Sequence, residues 1–325
     1  MTIRTETKLG PTEQTIFEQF SYWQKAIEPL EPLPEAPITV FIGCGSSYNL
    51  SLSLAALANA KGRRAIAVPG GEWLSRPDNY WPDWRQAHVV ALSRSGETTE
   101  TVAAAKASRA AGAKVTAITC ERDSSIARAC DRLVAAGTHP VEGIVMTTSA
   151  SLMLLLGIEL LGYGADRRVV EAAEAILEQA DPQLPKFLAG RSHFVFLGGG
   201  ANYGVALEAA LKLQEMSQIF SQGFHPLEYR HGPISLIDER SAAVLLYGAD
   251  TAAAEATLAG ELQEKGAIVL GLGGPGDISL KVPVDPALAG LACLPALQLL
   301  GERAAQSRNI DTVTPRHLSK VVTLA

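Results

Sequence analysis

Short apolar runs alternate with helical stretches along the whole chain, and this alternation restricts the fold more than any other feature. Strands that recur at this spacing, with a helix between each pair, form a parallel sheet covered by helices on both faces. The sequence therefore predicts an α/β fold of doubly wound parallel sheets. In the first half the predicted strands are residues 38–42, 65–68, 89–92 and 115–119.

The pattern restarts in the second half. Phe41, Gly43, Gly45 and Tyr48 recur as Phe196, Gly198, Gly200 and Tyr203, at a constant offset of 155 residues. Two glycine-rich strand turns could share four identities by chance, but internal duplication of one α/β unit explains them directly. We predict three parts: a helix and proline-rich connector over residues 1–37, a front half over 38–182, and a rear half over 183–325.

The turn after the third predicted strand is rich in hydroxyl groups. Ser93, Ser95 and Thr98 lie within six residues, and Gly96 lets a ligand approach the backbone. The following helix would direct unpaired N–H groups at the same point, an arrangement that binds phosphate. Helix capping is the alternative, although it requires one hydroxyl and not three. No G-x-x-x-x-G-K-[ST] run is present, so a nucleotide P-loop is excluded.

Composition excludes several classes of function. The net charge of −6 and the lack of a Lys/Arg block argue against nucleic-acid binding. The four cysteines form no CxxC pair, so we expect neither a metal site nor a redox motif, and no cofactor. The polar residues 1–6 do not resemble a signal peptide, and the longest apolar runs are too short to span a bilayer. We therefore expect a cytoplasmic protein without a membrane partner.

Three segments of the rear half carry candidate reactive groups. Glu208, Lys212 and Glu215 share one helical face, where spacing alone favours a surface ladder of ion pairs. His225 and His231 lie close to Glu228, and a histidine there can exchange protons near neutral pH, although a lone histidine is more often structural. Residues 314–323 are either a flap over a site or a plain C-terminal strand.

Together, five segments resemble the isomerase half of the glucosamine-6-phosphate synthase family, which consists of two sugar-isomerase (SIS) domains. The match extends over nearly the whole chain in the right order. The segments are Cys44-Gly-Ser-Ser-Tyr48, Leu92-Ser-Arg-Ser-Gly-Glu-Thr98, Ala209-Ala-Leu-Lys-Leu-Gln-Glu215, Arg230-His-Gly-Pro233 and Pro315-Arg-His-Leu-Ser-Lys320.

The resemblance implies a role for each matching residue. Glu215 would be the base that moves a proton between C1 and C2, with Lys212 beside it. His231 would assist ring opening across a subunit boundary, and Lys320 would form a Schiff base with the open-chain ketose. The residues that would hold the sugar phosphate are Ser47, Ser93, Ser95, Thr98, Arg94 and Gly96. Those that would contact the sugar itself are Val145 and Ser46.

Departures from the family keep the substrate open. The chain begins at Met1 without a glutaminase segment, so we expect it to use free ammonia or to work in reverse as a deaminase. Arg94 replaces an uncharged amide and could strengthen phosphate binding or accept a second anionic group. The predicted function is a phosphosugar isomerase for an amino-sugar phosphate, active as a homodimer with shared sites. A fructosamine-phosphate deglycase and a non-catalytic phosphosugar sensor are the alternatives.

Overall fold

The computed structural model describes residues 9–321, so residues 1–6 of the polar N-terminus and residues 322 and 323 of the predicted flap lie outside it. Strands and helices alternate as the sequence predicts. Residues 9–160 contain α1 Pro11–Ala26, β1 Thr39–Gly43, α2 Ser46–Ala60, β2 Ala65–Pro69, α3 Gly70–Ser75, β3 His88–Ser93, α4 Thr99–Ala110, β4 Lys114–Thr119, α5 Ser125–Ala129, β5 Arg132–Ala135 and α6 Thr148–Leu160. The remainder contains α7 Arg167–Ala180, α8 Leu184–Leu188, β6 His193–Gly198, α9 Ala201–Ser217, β7 Ser221–Phe224, β8 Ser241–Leu246, α10 Ala252–Glu264, β9 Ile268–Leu272, β10 Ile278–Leu280 and α11 Ala289–Ser307.

Two parallel five-stranded sheets organise the described residues. The front sheet has the strand order β2-β1-β3-β4-β5, and the rear sheet has the same order, β7-β6-β8-β9-β10. The turns after β1 and β6 also match, since Gly45 has φ 56° and ψ −125° and Gly200 has φ 55° and ψ −126°. The predicted doubly wound fold and the internal duplication are therefore confirmed. The short strands β5, β7 and β10 escaped prediction because few residues carry their pattern.

Burial of the strands explains why they read as continuous apolar runs. Every residue of β1, β3, β8 and β9 is buried, as in parallel sheets covered on both faces. Helix α6 is buried over its whole length and contributes to one apolar core that continues from Phe41 in the front sheet to Leu300 in α11. Within residues 9–321, no helix is long and apolar enough to cross a membrane.

Close packing of α2 against α9 positions the site. A Cβ atom at Gly204 would lie 2.2 Å from the carbonyl oxygen of Asn49 and 2.4 Å from the hydroxyl of Ser53, so only glycine allows the two helices this approach. As a result α9, which belongs to the rear half, runs beside the carboxyl edge of the front sheet. The division at residue 182 stays a prediction.

Candidate active site

A cavity of about 230 Å³ lies where the carboxyl edge of the front sheet, helix α9 and the C-terminal segment meet. Ligands of open α/β sheets bind at this edge. The cavity brings together eight of the residues predicted from sequence: Ser46, Ser47, Arg94, Ser95, Thr98, Lys212, Glu215 and Lys320.

The hydroxyl-rich turn has the shape that an anion site needs. Gly96 has φ +67°, and a Cβ there would lie 2.3 Å from the Oγ of Ser124. Ser93 is buried; its Oγ accepts a hydrogen bond from the N–H of Gly96 at 3.1 Å and donates to Thr98 at 3.4 Å. Ser95 and Thr98 line the cavity, whereas Ser93 and Gly96 give the turn its shape.

Two helix N-termini meet at the cavity wall. Helix α2 begins after Gly45, and α4 begins after Thr98. Among the described residues, the side chain of Thr98 makes no capping hydrogen bond to the N–H groups of α4, and Gly45 has no side chain that could cap α2. Capping therefore does not account for the hydroxyl of Thr98. The positive ends of both helix dipoles favour a negatively charged group here.

The shared face of Glu208, Lys212 and Glu215 is buried, which corrects the surface ladder that spacing alone favours. Their side chains are 0%, 1% and 20% exposed. The ammonium of Lys212 bonds to Glu215 and lies 3.5 Å from Glu208. The rule of spacing failed because α2 covers this face, and Asn49 of α2 donates to Glu208 at 3.1 Å.

Burial and charge act in opposite directions on the pKa values of this buried group. Burial raises the pKa of Glu208, while the positive charge of Lys212 opposes that rise. Burial alone would lower the pKa of Lys212, but the attraction of Glu208 and then Glu215 outweighs it, and the pKa is raised. Lys212 is therefore a cation held between two carboxyl groups.

The C-terminal segment crosses the cavity as irregular chain and not as a strand. Over residues 311–321 the backbone forms bends and turns, and Leu318, Ser319 and Lys320 line the cavity. The Nζ of Lys320 donates to the carbonyl oxygen of Glu142 at 3.1 Å. The described part of the segment therefore lines the cavity, and its role as a flap stays a prediction.

Three of the predicted site residues need separate description. The side chain of Val145 packs with Met216 and Ala305, while its neighbours Ile144 and Met146 line the cavity. His231 is exposed in the loop between β7 and β8, away from the cavity lining. The guanidinium of Arg94 bonds to backbone carbonyl groups of residues 143, 144 and 320.

Duplication produced a second cavity, of about 840 Å³, at the corresponding edge of the rear sheet. Its wall contains Leu57 and Ala60 of α2, which stand 155 residues before Lys212 and Glu215. Residues 247–252 replace the hydroxyl turn, and the carboxylate of Glu255 accepts the N–H of Gly248 there at 2.8 Å. The rear cavity therefore has apolar residues where the front cavity has Lys212 and Glu215, and the carboxylate of Glu255 occupies the turn that corresponds to the hydroxyl turn.

Sequence reasoning missed several residues of the cavity and its support. Glu100 lines the cavity from the first turn of α4, and its position two residues after Thr98 was an available signal. Glu142 is buried and organises the loop before α6: its carboxylate accepts from the N–H groups of Thr147 and Ser149 at 2.7 and 2.9 Å. No local sequence pattern predicts that role for Glu142.

A family model described as the SIS domain matches residues 35–160 and 187–278. Glutamine–fructose-6-phosphate aminotransferase (isomerizing) of Methanothermobacter thermautotrophicus is 30% identical over 325 aligned residues, covering 93% of this chain and 54% of that protein. The corresponding protein of Pyrobaculum aerophilum is 29% identical, covering 87% and 51%. The chain thus spans about half the length of the curated relatives it matches.

Solved structures show the same fold. The crystal structure of glucosamine-6-phosphate deaminase from Thermotoga maritima has a TM-score of 0.84 and 32% identity, covering 97% of this chain and 100% of that chain. Tagatose-6-phosphate ketose/aldose isomerase from Escherichia coli has a TM-score of 0.81 at 21% identity, with 97% and 99% covered. At that identity the second match supports the fold alone.

Proposed function

The chain belongs to the SIS domain family, and on that premise we propose that it is a phosphosugar isomerase acting on an amino-sugar phosphate of the glucosamine 6-phosphate type. The observation that carries the proposal is the shared cavity, where the hydroxyl turn faces Glu215, Lys212 and Lys320. The deaminase of Thermotoga maritima, similar over the whole of its length, favours the deaminating direction.

The phosphate group is held at the two helix N-termini. Ser47, Ser95 and Thr98 donate hydrogen bonds to its oxygens, and the positive dipole ends of α2 and α4 attract its charge. This group does not react. Its binding free energy fixes the position of C1 and C2 relative to the catalytic groups.

Glu215 carries out the proton transfer. In the deaminating direction its carboxylate removes the proton from C2 of the open-chain amino aldose and returns it to C1. The oxygen on C1 takes a proton from the ammonium group on C2 and becomes a hydroxyl, which leaves an iminium at C2. Lys212 holds the carboxylate in place through their hydrogen bond. A carboxylate is the group suited to this transfer because it can accept the proton and release it again at the neighbouring carbon.

Lys320 supplies an amine for covalent exchange. Its nitrogen attacks C2 of the iminium, ammonia leaves, and a Schiff base between Lys320 and the sugar forms; water then hydrolyses it to the ketose phosphate. His231 is exposed and does not line its own cavity, so its proposed role in ring opening requires a second copy of the chain, in a homodimer.

The test combines product analysis with isotope exchange. The protein is supplied with glucosamine 6-phosphate, a fructosamine phosphate, fructose 6-phosphate with ammonium, and other hexose 6-phosphates, and proton exchange at C1 and C2 is followed by NMR in D₂O. We expect ammonia and a ketose phosphate from the amino sugar. Glu215→Gln should lower kcat at least about a hundredfold with KM within about threefold, as for a lost general base.

Glu264→Gln, which changes an exposed carboxylate on α10, is the matched control and should leave turnover unchanged. Borohydride added with the ketose phosphate should trap Lys320 in a covalent adduct. Tight binding of the sugar phosphate without exchange at either carbon would refute the proposal in favour of a sensor. Turnover of the fructosamine phosphate alone would instead identify a deglycase.

A further inference from the structure

Arg94 lies inside the hydroxyl turn, yet its side chain leaves the turn. Its backbone is fixed, because its carbonyl oxygen accepts hydrogen bonds from the N–H of Cys120 at 3.0 Å and the hydroxyl of Thr119 at 3.2 Å. The residue is 8% exposed. A buried guanidinium on a rigid backbone is suited to join other segments to the turn.

The guanidinium contacts two segments that are distant in sequence. Nη1 donates to the carbonyl oxygen of Gly143 at 3.1 Å, and Nη2 donates to those of Ile144 at 2.9 Å and Lys320 at 3.2 Å. Nη1 also lies 3.9 Å from the carboxylate of Glu142. These bonds engage both Nη atoms of the guanidinium with protein acceptors.

Both segments that Arg94 contacts help to fix the position of Lys320. The loop at 142–144 is held rigid by the carboxylate of Glu142, which accepts the hydroxyls of Thr138 and Thr147 at 2.9 Å each. The carbonyl oxygen of the same Glu142 accepts from the Nζ of Lys320. Residue 320 is thus fixed at both ends: its main chain by Arg94, and its side chain by a loop that Arg94 also holds.

We propose that Arg94 is a positioning residue that docks the C-terminal segment onto the cavity, so that the amine of Lys320 faces the sugar carbons next to Glu215. It is not the phosphate ligand that its place in the turn suggests. A guanidinium suits this task because its planar fork reaches several carbonyl oxygens at once, whereas a lysine offers one point charge. This inference rests on the proposed function for the role of Lys320, but the docking itself does not.

Two substitutions separate docking from phosphate binding. Arg94→Gln keeps a polar side chain but removes the charge and the fork, and Arg94→Lys keeps the charge in case the glutamine variant fails to fold. Arg109→Gln is the matched control, since Arg109 is about half exposed and pairs with Asp131 on the surface. Hydrogen exchange over residues 311–321, kcat, KM, inhibition by inorganic phosphate, and borohydride trapping are measured for each.

In Arg94→Gln we expect exchange over 311–321 to rise and kcat and trapping to fall, each at least about tenfold, as for loss of charge-assisted bonds to buried carbonyls. KM and the inhibition constant of phosphate should stay within about threefold, and Arg94→Lys should show the same pattern, weaker. A tenfold rise in KM and in the phosphate constant with unchanged exchange would overturn the inference, as would wild-type values throughout. If the unmodified protein turns over no substrate, the proposed function fails, whereas the exchange data still decide the docking.

Discussion

Replacing Lys212 by methionine is the sharpest test of how the buried charges contribute to stability. The side chain is 1% exposed, and its ammonium lies between Glu215, to which it bonds, and Glu208, at 3.5 Å. Methionine has a similar length and volume, so the change removes the charge while leaving a side chain to fill the space. It leaves Glu208, which is 0% exposed, without its cation.

Burial decides the expected magnitude. Removing one partner of a buried ion pair costs about 3–5 kcal/mol, because the other charge stays desolvated and unpaired. An exposed pair of the same i,i+4 spacing contributes only about 0.3–0.5 kcal/mol. The free energy of unfolding of Lys212→Met should therefore fall by about 3–5 kcal/mol, an amount that the surface ladder cannot produce.

A second substitution isolates the cause. Glu208→Gln removes the stranded charge and keeps an acceptor for Asn49, which donates to Glu208. The double variant should recover all but about 1–2 kcal/mol of the loss, so a double-mutant cycle should give a coupling free energy of about 1–4 kcal/mol in addition to the cost of Glu208→Gln alone. The deficit of the single variant should also shrink as the pH falls, because a protonated Glu208 needs no counter-ion.

Urea unfolding at pH 7, monitored by circular dichroism and tryptophan fluorescence, measures all three variants. Coincident transitions with a constant slope are required before the free energies are compared. A loss below about 1 kcal/mol for Lys212→Met, or no recovery in the double variant, would refute the argument that burial makes this charge essential.

Three further predictions concern pH, packing and phosphate. Burial lowers the pKa of His88 to about 4. As the pH falls from 6.5 to 4, the unfolded chain binds the proton before the folded chain does, so the free energy of unfolding decreases by up to about 3 kcal/mol. His88→Gln should flatten that pH dependence in urea titrations. Gly204→Ala should lower the free energy of unfolding by about 1–3 kcal/mol, because its Cβ would lie 2.2 Å from a carbonyl oxygen. Gly260→Ala, whose Cβ would have nothing within 4 Å, should instead stabilise α10 by about 0.5–1 kcal/mol. Equal urea midpoints for the two variants would contradict this prediction. Thr98→Val should raise KM for the sugar phosphate about tenfold with kcat within about twofold, and an unchanged KM would remove Thr98 from the phosphate site.

The sequence alone was sufficient for the fold and for its duplication. Strand and helix signals are local, and buried parallel strands give apolar runs that need no knowledge of their neighbours. The echo of residues 41–48 in 196–203 is also readable directly, and the two turns have the same backbone angles. The hydroxyl turn at Ser93 to Thr98 likewise carries its chemistry within a few residues.

Only the tertiary structure decided how the helix face of Glu208 and Lys212 is used. Spacing placed the charges on one side of α9, but whether that side meets water or protein depends on α2, more than 150 residues earlier, and on Gly204, which admits it. Arg94 shows the same limit, since its acceptors at Gly143 and Lys320 are set by chain segments that no local pattern connects. A periodic pattern reports which residues share a face; the partner of that face is fixed by long-range packing.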